Sequence, residues 1–244
     1  EWLKAMHSKG RYMGMQLELV SLDEAERLPA LLATLAGEPE PHEAIVVDGG
    51  SRDRTADLAA AGATVLHATA GRGAQLAAGA AAVRGDVLLF LHADSRFPAG
   101  GLAAVTRALH DPAVPGGNFR LRFDGGDPFS RWLDGFYAWI RARGLYYSDS
   151  GIFVRRAVYD RLGGMRPIAL MEDYDFVRRL EAAGRTVCID APALVTSARR
   201  FRGRRPAAIV AGWLLIHGLY YLGVDPATLA RLYRSDRRQL RYGC

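Results

Sequence analysis

Short apolar runs and helical periods alternate along this chain. Gln16-Leu17-Glu18-Leu19-Val20, Glu43-Ala44-Ile45-Val46-Val47, Thr64-Val65-Leu66-His67 and Leu88-Leu89-Phe90-Leu91 are each bounded by turn residues. Runs of this length read as strands, and the all-apolar ones as strands of a parallel sheet covered on both faces. Between them, Leu28, Leu31, Leu32 and Leu35 recur at helical spacing behind Asp23-Glu24-Ala25-Glu26. That predicts an amphipathic helix with an acidic first turn and Gly37 as its stop. A second helix is predicted up to Ala61, closed by Gly62, and an alanine-rich third from Gly71-Arg72-Gly73 through Val83. Strands and helices alternating at this interval mean βαβ units, hence an α/β fold with a mostly parallel sheet.

After Pro98 the pattern loosens. Asn118 to Phe123 alternates like a strand with one polar face, and residues 128–147 form an aromatic-rich helical stretch. Those rings suit either plain core or a cover for a lipid or carbohydrate acceptor. Ser150 to Arg155 reads as a strand, Glu172 to Ala183 as a helix closed by Gly184, and Thr186 to Ile189 as a strand. The composition shifts near residue 115. The chain therefore divides into one half over 16–115, a second half of the same domain over 116–200, and a helical extension over 201–244.

The extension changes the charge picture. Net charge is +6, but Arg199 to Cys244 holds ten Arg, no Lys, no Glu and two Asp, so the body before it sums to −2. A general nucleic-acid binder would line a groove with its charge instead, so no nucleic-acid partner is expected. A basic tail suits phosphate or an anionic membrane surface, the other reading being a solvated arginine-rich tail. Its apolar stretch, 207–224, is borderline against the roughly 20 residues that span a bilayer. Trp213, Tyr220 and Tyr221 beside clustered arginines suit an interfacial or partner-docking helix, the other readings being ordinary packing on the domain and a true span.

Of the residues, 50% are hydrophobic and 24% charged, which fits a globular chain able to bury a core. Cys188 and Cys244 offer neither a disulfide framework nor metal spacing, which points to a reducing, cytoplasmic setting. Residues 1–15 carry Lys4, Lys9 and Arg11 without a continuous apolar core, and read as a loose leader rather than a signal peptide.

Chemistry gathers where strands end. The run Leu88 to Leu91 stops at His92-Ala93-Asp94-Ser95. A carboxylate at a strand's carboxyl end can ligate a hard cation that bridges phosphates, although Asp equally favours turns. Asp48-Gly49-Gly50-Ser51-Arg52-Asp53 closes the second strand with backbone free to approach a ligand. Arg72 sits between two glycines before a helix, where it could reach a base or a phosphate or simply charge a loop surface. Met171-Glu172-Asp173-Tyr174-Asp175 crowds carboxylates at a helix start, where the dipole favours them and where one can act as a general base. Arg199 and Arg200 could neutralise a leaving diphosphate. No Gly-x-Gly-x-x-Gly follows the first strand and no Gly-Lys-Ser/Thr occurs, which weakens the NAD-enzyme and P-loop readings.

In order, Asp23-Glu24-Ala25, Asp48 to Asp53, Gly71-Arg72-Gly73, His92-Ala93-Asp94, Gly151-Ile152-Phe153, Glu172-Asp173 and Ser197-Ala198-Arg199-Arg200 resemble a family 2 glycosyltransferase of the GT-A fold. The likeness is to the small bacterial subgroup with His-Ala-Asp and Thr-Ser-Ala-Arg-Arg motifs, and it covers about residues 16–240. It implies a Rossmann-like nucleotide-binding half with a mostly parallel mixed sheet flanked by helices, plus the C-terminal amphipathic helical extension. It implies inverting transfer of a sugar from a UDP- or GDP-type donor to an acceptor hydroxyl, small or lipid-linked, with Mg²⁺ or Mn²⁺.

By the same resemblance Asp48 and Arg72 would hold the nucleobase, with Leu22 and Glu24 lining its pocket. Asp94 would ligate the metal, Gly151 would lie against the donor sugar, Asp173 would be the base with Glu172 beside it, and Arg199 or Arg200 would meet the diphosphate. Two departures stand out. His92 replaces the first carboxylate of an Asp-x-Asp motif, and Val20-Ser21-Leu22-Asp23-Glu24 replaces Pro-x-x-Asn-Glu, although Asp23 could still cap the first helix. The competing readings are a sugar nucleotidyltransferase and a non-catalytic GT-A-like binding or scaffold domain. The former would carry a Gly-rich, Arg-Lys loop after the first strand, and residues 20–27 have none.

Overall fold

The structure is a computed structural model that describes residues 14–82 and 84–239. The predicted leader thus lies outside the described residues up to position 13, as do Val83 and the end of the extension from position 240.

Seven strands form one sheet: β1 Met15–Ser21, β2 His42–Asp48, β3 Thr64–His67, β4 Val87–His92, β5 Gly116–Phe123, β6 Ile152–Arg155 and β7 Val187–Thr196. Their order is β3-β2-β1-β4-β6-β5-β7. The first four are parallel, β6 runs antiparallel to both neighbours, and β7 is parallel to β5. The sheet is therefore mixed and mostly parallel, as the alternation predicts.

Helices cover both faces. On one side lie α1 (Leu28–Ala36), α2 (Thr55–Ala59), α4 (Gly101–Ala108) and α5 (Pro128–Arg141), packed on Leu17, Leu19, Val46, Leu89 and Leu91. On the other lie α3 (Arg72–Ala82), α6 (Arg156–Arg161) and α7 (Glu172–Ala183), packed on Ile45, Val47, Leu88 and Phe90. Successive side chains of a strand point to opposite faces, so burial on both sides requires the continuous apolar runs seen in the sequence. The aromatic stretch divides in the same way. Leu133, Tyr137 and Ile140 of α5 enter the core, whereas Trp132 and Trp139 face outward.

Two further helices, α8 (Pro206–Tyr221) and α9 (Pro226–Gln239), form the C-terminal extension. A small third core of Met171, Tyr174, Ile216 and Leu229 fastens them to the start of α7. Among the described residues, no helix is long and apolar enough to cross a membrane.

Local boundaries differ from expectation: α5 ends at Arg141 rather than reaching 147, and β6 starts at Ile152 because Ser150 closes a 3-10 turn. Helix α1 begins only at Leu28, so the acidic residues precede it in turns rather than forming its first turn. Asp23 does not cap it, because its carboxylate accepts from the Arg52 amide at 2.8 Å and ties two loops together. Strand β7 runs to Thr196 rather than Ile189, since Leu121 to Phe123 of β5 pair with Leu194 to Thr196 beyond a register shift.

Candidate active site

Sheet register assembles the site. Ser21 pairs with Asp48 and Val20 with His92, which sets the carboxyl ends of β2, β1 and β4 side by side. Phe90 of β4 faces Ile152 of the antiparallel β6, so the residues leading into β6 reach the same edge. Ligands of open α/β sheets bind at this edge.

At its centre are Glu172 and Asp173, both buried at the start of α7. Arg72 opens α3, donates to Glu172 through Nε and lies 3.4 Å from Asp173 Oδ2. Gly73 permits this approach, for a Cβ there would stand 2.5 Å from the Ile168 carbonyl oxygen. Ser148, in the 3-10 turn Ser148–Ser150, donates to Asp173 Oδ2 from its amide at 3.0 Å and its hydroxyl at 2.9 Å. His92 Nε2 is 2.9 Å from the same hydroxyl. With the Ser148 proton committed to Asp173, the imidazole N–H donates to Ser148.

The charges follow from these contacts. Burial pushes the Glu172 carboxyl above its ordinary value despite Arg72. Burial acts on Asp173 in the same direction, but Arg72, the two Ser148 bonds and His92 outweigh it and hold that carboxyl below the usual range. Burial, and then the Arg72 guanidinium, lower the His92 titration below its ordinary value. Two adjacent carboxyls with titrations pushed apart suit acid–base work.

Beside this centre, Arg199 joins Glu24 and Asp94. Its guanidinium bonds Glu24 and stands 3.4 Å from Asp94 Oδ2. Burial pushes the Glu24 carboxyl up, Arg199 opposes this, and Asp94 adds to the rise. Arg200 donates to Asp149 Oδ2 at 3.0 Å, while Asp149 Oδ1 is buried without a partner among the described residues. Asp48 accepts from the Gly50 and Ser51 amides, each at 3.1 Å, and from the Ser51 hydroxyl, so it shapes its own loop. Leu22 is 49% exposed nearby. Gly151 has φ +67, and a Cβ would stand 3.1–3.3 Å from Phe119, Leu194 and Leu91, so both conformation and space favour glycine.

The structure thus brings Glu172, Asp173 and Arg72 into one cluster and Glu24, Asp94 and Arg199 into a second. Ser148 and Asp149 are additions the sequence did not suggest, because Ser-Asp-Ser before a glycine is ordinary turn composition. A surface hollow of about 360 Å³, lined by Leu32, His42 and Thr64 among others, lies at the amino ends of β2 and β3 and includes none of these residues.

Among the described residues, no group of three His, Cys, Asp or Glu could hold a metal. Asp94 supplies one hard carboxylate, which fits an ion whose other ligands are diphosphate oxygens and water, not a protein cage.

A sequence model described as Glycosyl transferase family 2 matches residues 19–162, more than half of the chain. The chain belongs to glycosyl transferase family 2. Its fold matches GT-A structures at low sequence identity. TarS residues 1–349 from S. aureus align with TM-score 0.63 and 16% identity, over 76% of this chain and 60% of that one. The mannosyltransferase PcManGT from Pyrobaculum calidifontis, in complex with GDP-Man and Mn²⁺, aligns with TM-score 0.65 and 21% identity, over 88% and 65%. Glucosyl-3-phosphoglycerate synthase from Mycobacterium tuberculosis, with Mn²⁺, UDP and glucosyl-3-phosphoglycerate, aligns with TM-score 0.59 and 18% identity, over 88% and 81%. This family 2 chain therefore spans about 60–65% of the length of the first two. No curated protein sequence matches it.

Proposed function

We propose that this family 2 chain is an inverting, hexosyltransferase-type glycosyltransferase that moves a sugar from a nucleoside diphosphate to an acceptor hydroxyl. The observation that carries the reading is the buried Glu172-Asp173 pair under Arg72, at the sheet edge of a chain whose family transfers glycosyl groups. Residues 16–115 would hold the donor and 116–200 the acceptor.

Asp173 is the base. It is ionised, aimed by Ser148, and takes the proton as the acceptor oxygen attacks the anomeric carbon from the face opposite the nucleotide. The C–O bond to the acceptor forms as the bond to the diphosphate breaks, and the electron pair leaves with the diphosphate. Glu172 and Arg72 fix the base's position and charge. Arg199 and Arg200 stabilise the departing diphosphate, which requires Arg199 to turn from Glu24 and Arg200 from Asp149. Asp48, Leu22 and Glu24 surround the nucleobase end of the donor, with Gly151 beneath its sugar, whereas Arg72 is held by Glu172 and Asp173. Asp94 would hold Mg²⁺ or Mn²⁺ shared with the donor, and the chemistry that ion supplies is charge neutralisation of the leaving group.

The neighbours crystallised with GDP-Man and with UDP support a GDP- or UDP-linked donor. The acceptor is a small-molecule or lipid-linked hydroxyl, and 201–244 is the segment for peripheral contact at a membrane's inner face. The test is a transfer assay over UDP- and GDP-sugars with and without Mn²⁺, read alongside thermal shift. Stabilisation by one nucleotide class and release of its diphosphate support the reading. No stabilisation and no hydrolysis or transfer with any donor overturns it.

A further inference from the structure

The outward face of α8 has no partner among the described residues. From Pro206 to Val224 there is no Asp, Glu, Lys or Arg, and Ala207, Ala211, Leu214, Leu215, Gly218 and Leu222 share one exposed stripe. Leu214 is 69% exposed and Leu222 81%. Only Ile209 and Ile216 of α8 are buried, so much of the helix's apolar side-chain surface meets water. A contiguous apolar face of this kind marks an interaction surface.

The face extends onto α5. Phe129, Trp132, Phe136 and Trp139 stack in a row along that helix, and Phe136 passes the row to Trp213 of α8 at 6.2 Å between ring centres. Arginines rim it. Arg202 and Arg205 lead into α8, Arg231 stands on α9, and Arg143 lies 3.8 Å over the exposed Trp139 ring. Of the two acids in the extension, Asp225 caps α9 through the Thr228 amide.

We propose that α8 and the outer aromatics of α5 lie in the surface of an anionic bilayer, with the arginines on lipid phosphates. Aromatic rings and leucines beside arginines, on a helix too short to span, match an interfacial site. The +8 charge from Arg199 onward complements anionic headgroups, whereas it would repel a second copy of the same face. Docking this way places the surface over the reaction centre. His217 of α8 meets the Tyr147 hydroxyl at 2.8 Å, next to the Ser148 that holds Asp173. The inference sharpens the peripheral-contact reading and is measured without donor, so its failure leaves the transfer reading intact.

The experiment is co-sedimentation of the full chain with vesicles of phosphatidylcholine alone or equimolar with phosphatidylglycerol. Wild type should bind the anionic vesicles, lose binding as salt rises, and be quenched in its tryptophan fluorescence by brominated lipid. Leu214→Gln with Leu215→Gln should weaken binding roughly tenfold or more at unchanged circular dichroism. Arg202→Gln with Arg205→Gln should weaken it for the anionic vesicles alone. Wild type left in the supernatant overturns the proposal, as does equal binding by the leucine variant. Sedimentation without quenching overturns it as well. So does a dimer abolished by the leucine variant with no vesicle binding, since the face is then an interface between copies.

Discussion

Ser148 gives one carboxylate oxygen of Asp173 two hydrogen bonds, from its amide at 3.0 Å and from its hydroxyl at 2.9 Å. The serine leads into β6 and the aspartate opens α7, so a turn and a helix start jointly set the direction of one carboxylate. Ser148→Ala removes the hydroxyl bond and keeps the amide bond. A hydrogen bond to a charged group contributes about 1.5–3 kcal/mol. Transfer should therefore fall about ten- to a hundredfold in kcat with the donor KM little changed. Because the bond lowers the Asp173 titration, its loss should move the acid limb of the pH–rate profile upward. Steady-state kinetics across pH check both.

Asp173→Asn keeps the shape and removes the base. Transfer should be abolished while nucleotide binding by calorimetry stays close to wild type. Turnover at the wild-type rate would remove Asp173 from the role of base.

Asp94→Ala should abolish any gain in nucleotide affinity on adding Mn²⁺. Calorimetry with and without the ion decides this, and a gain that survives the substitution places the ion elsewhere. Since Arg199 lies 3.4 Å from Asp94, Arg199→Ala should strengthen Mn²⁺ binding to the nucleotide-free protein.

Glu18 sits in the core beneath α3, 1% exposed, with neither carboxylate oxygen bonded among the described residues. Burial raises its titration well above the ordinary value. The folded state therefore keeps a proton that the unfolded chain gives up. The stability from this group is complete below the unfolded pKa and is lost as pH rises toward the folded one, with a slope of at most about 1.4 kcal/mol per pH unit. Glu18→Gln should flatten that decline. Denaturant melts of both proteins at pH 5 and pH 8 measure it, and parallel behaviour would contradict the assignment.

Gly73→Ala drives a methyl to 2.5 Å from the Ile168 carbonyl oxygen and should push α3 off the segment before α7. Stability should drop by about 1–3 kcal/mol, and transfer should fall with it, because Arg72 begins that helix. Denaturation and activity together check this.

The alternation of apolar runs and helical periods was enough to reveal the α/β class, most of the parallel strands and helix α7 to the residue. Those features depend on local periodicity, which burial on one or two faces imposes directly. The stop of α1 at Gly37 was visible, but its start was not, since Asp23 pairs with an amide 29 residues away. Strand β7 was cut short for a similar reason, as its second part is set by pairing with β5.

By itself the sequence determined which residue types stand at the strand ends and helix starts, and so which chemistry the chain can attempt. Only the tertiary structure decided their partners. Arg72 meets Glu172 across 100 residues and Arg199 meets Glu24 across 175. Such pairings follow from the order of strands and from the directions in which side chains leave a helix, and neither is encoded within a window of neighbouring residues. Glu172 and Asp173 read alike along the chain; the serine and the arginine brought beside them by the fold make their titrations differ.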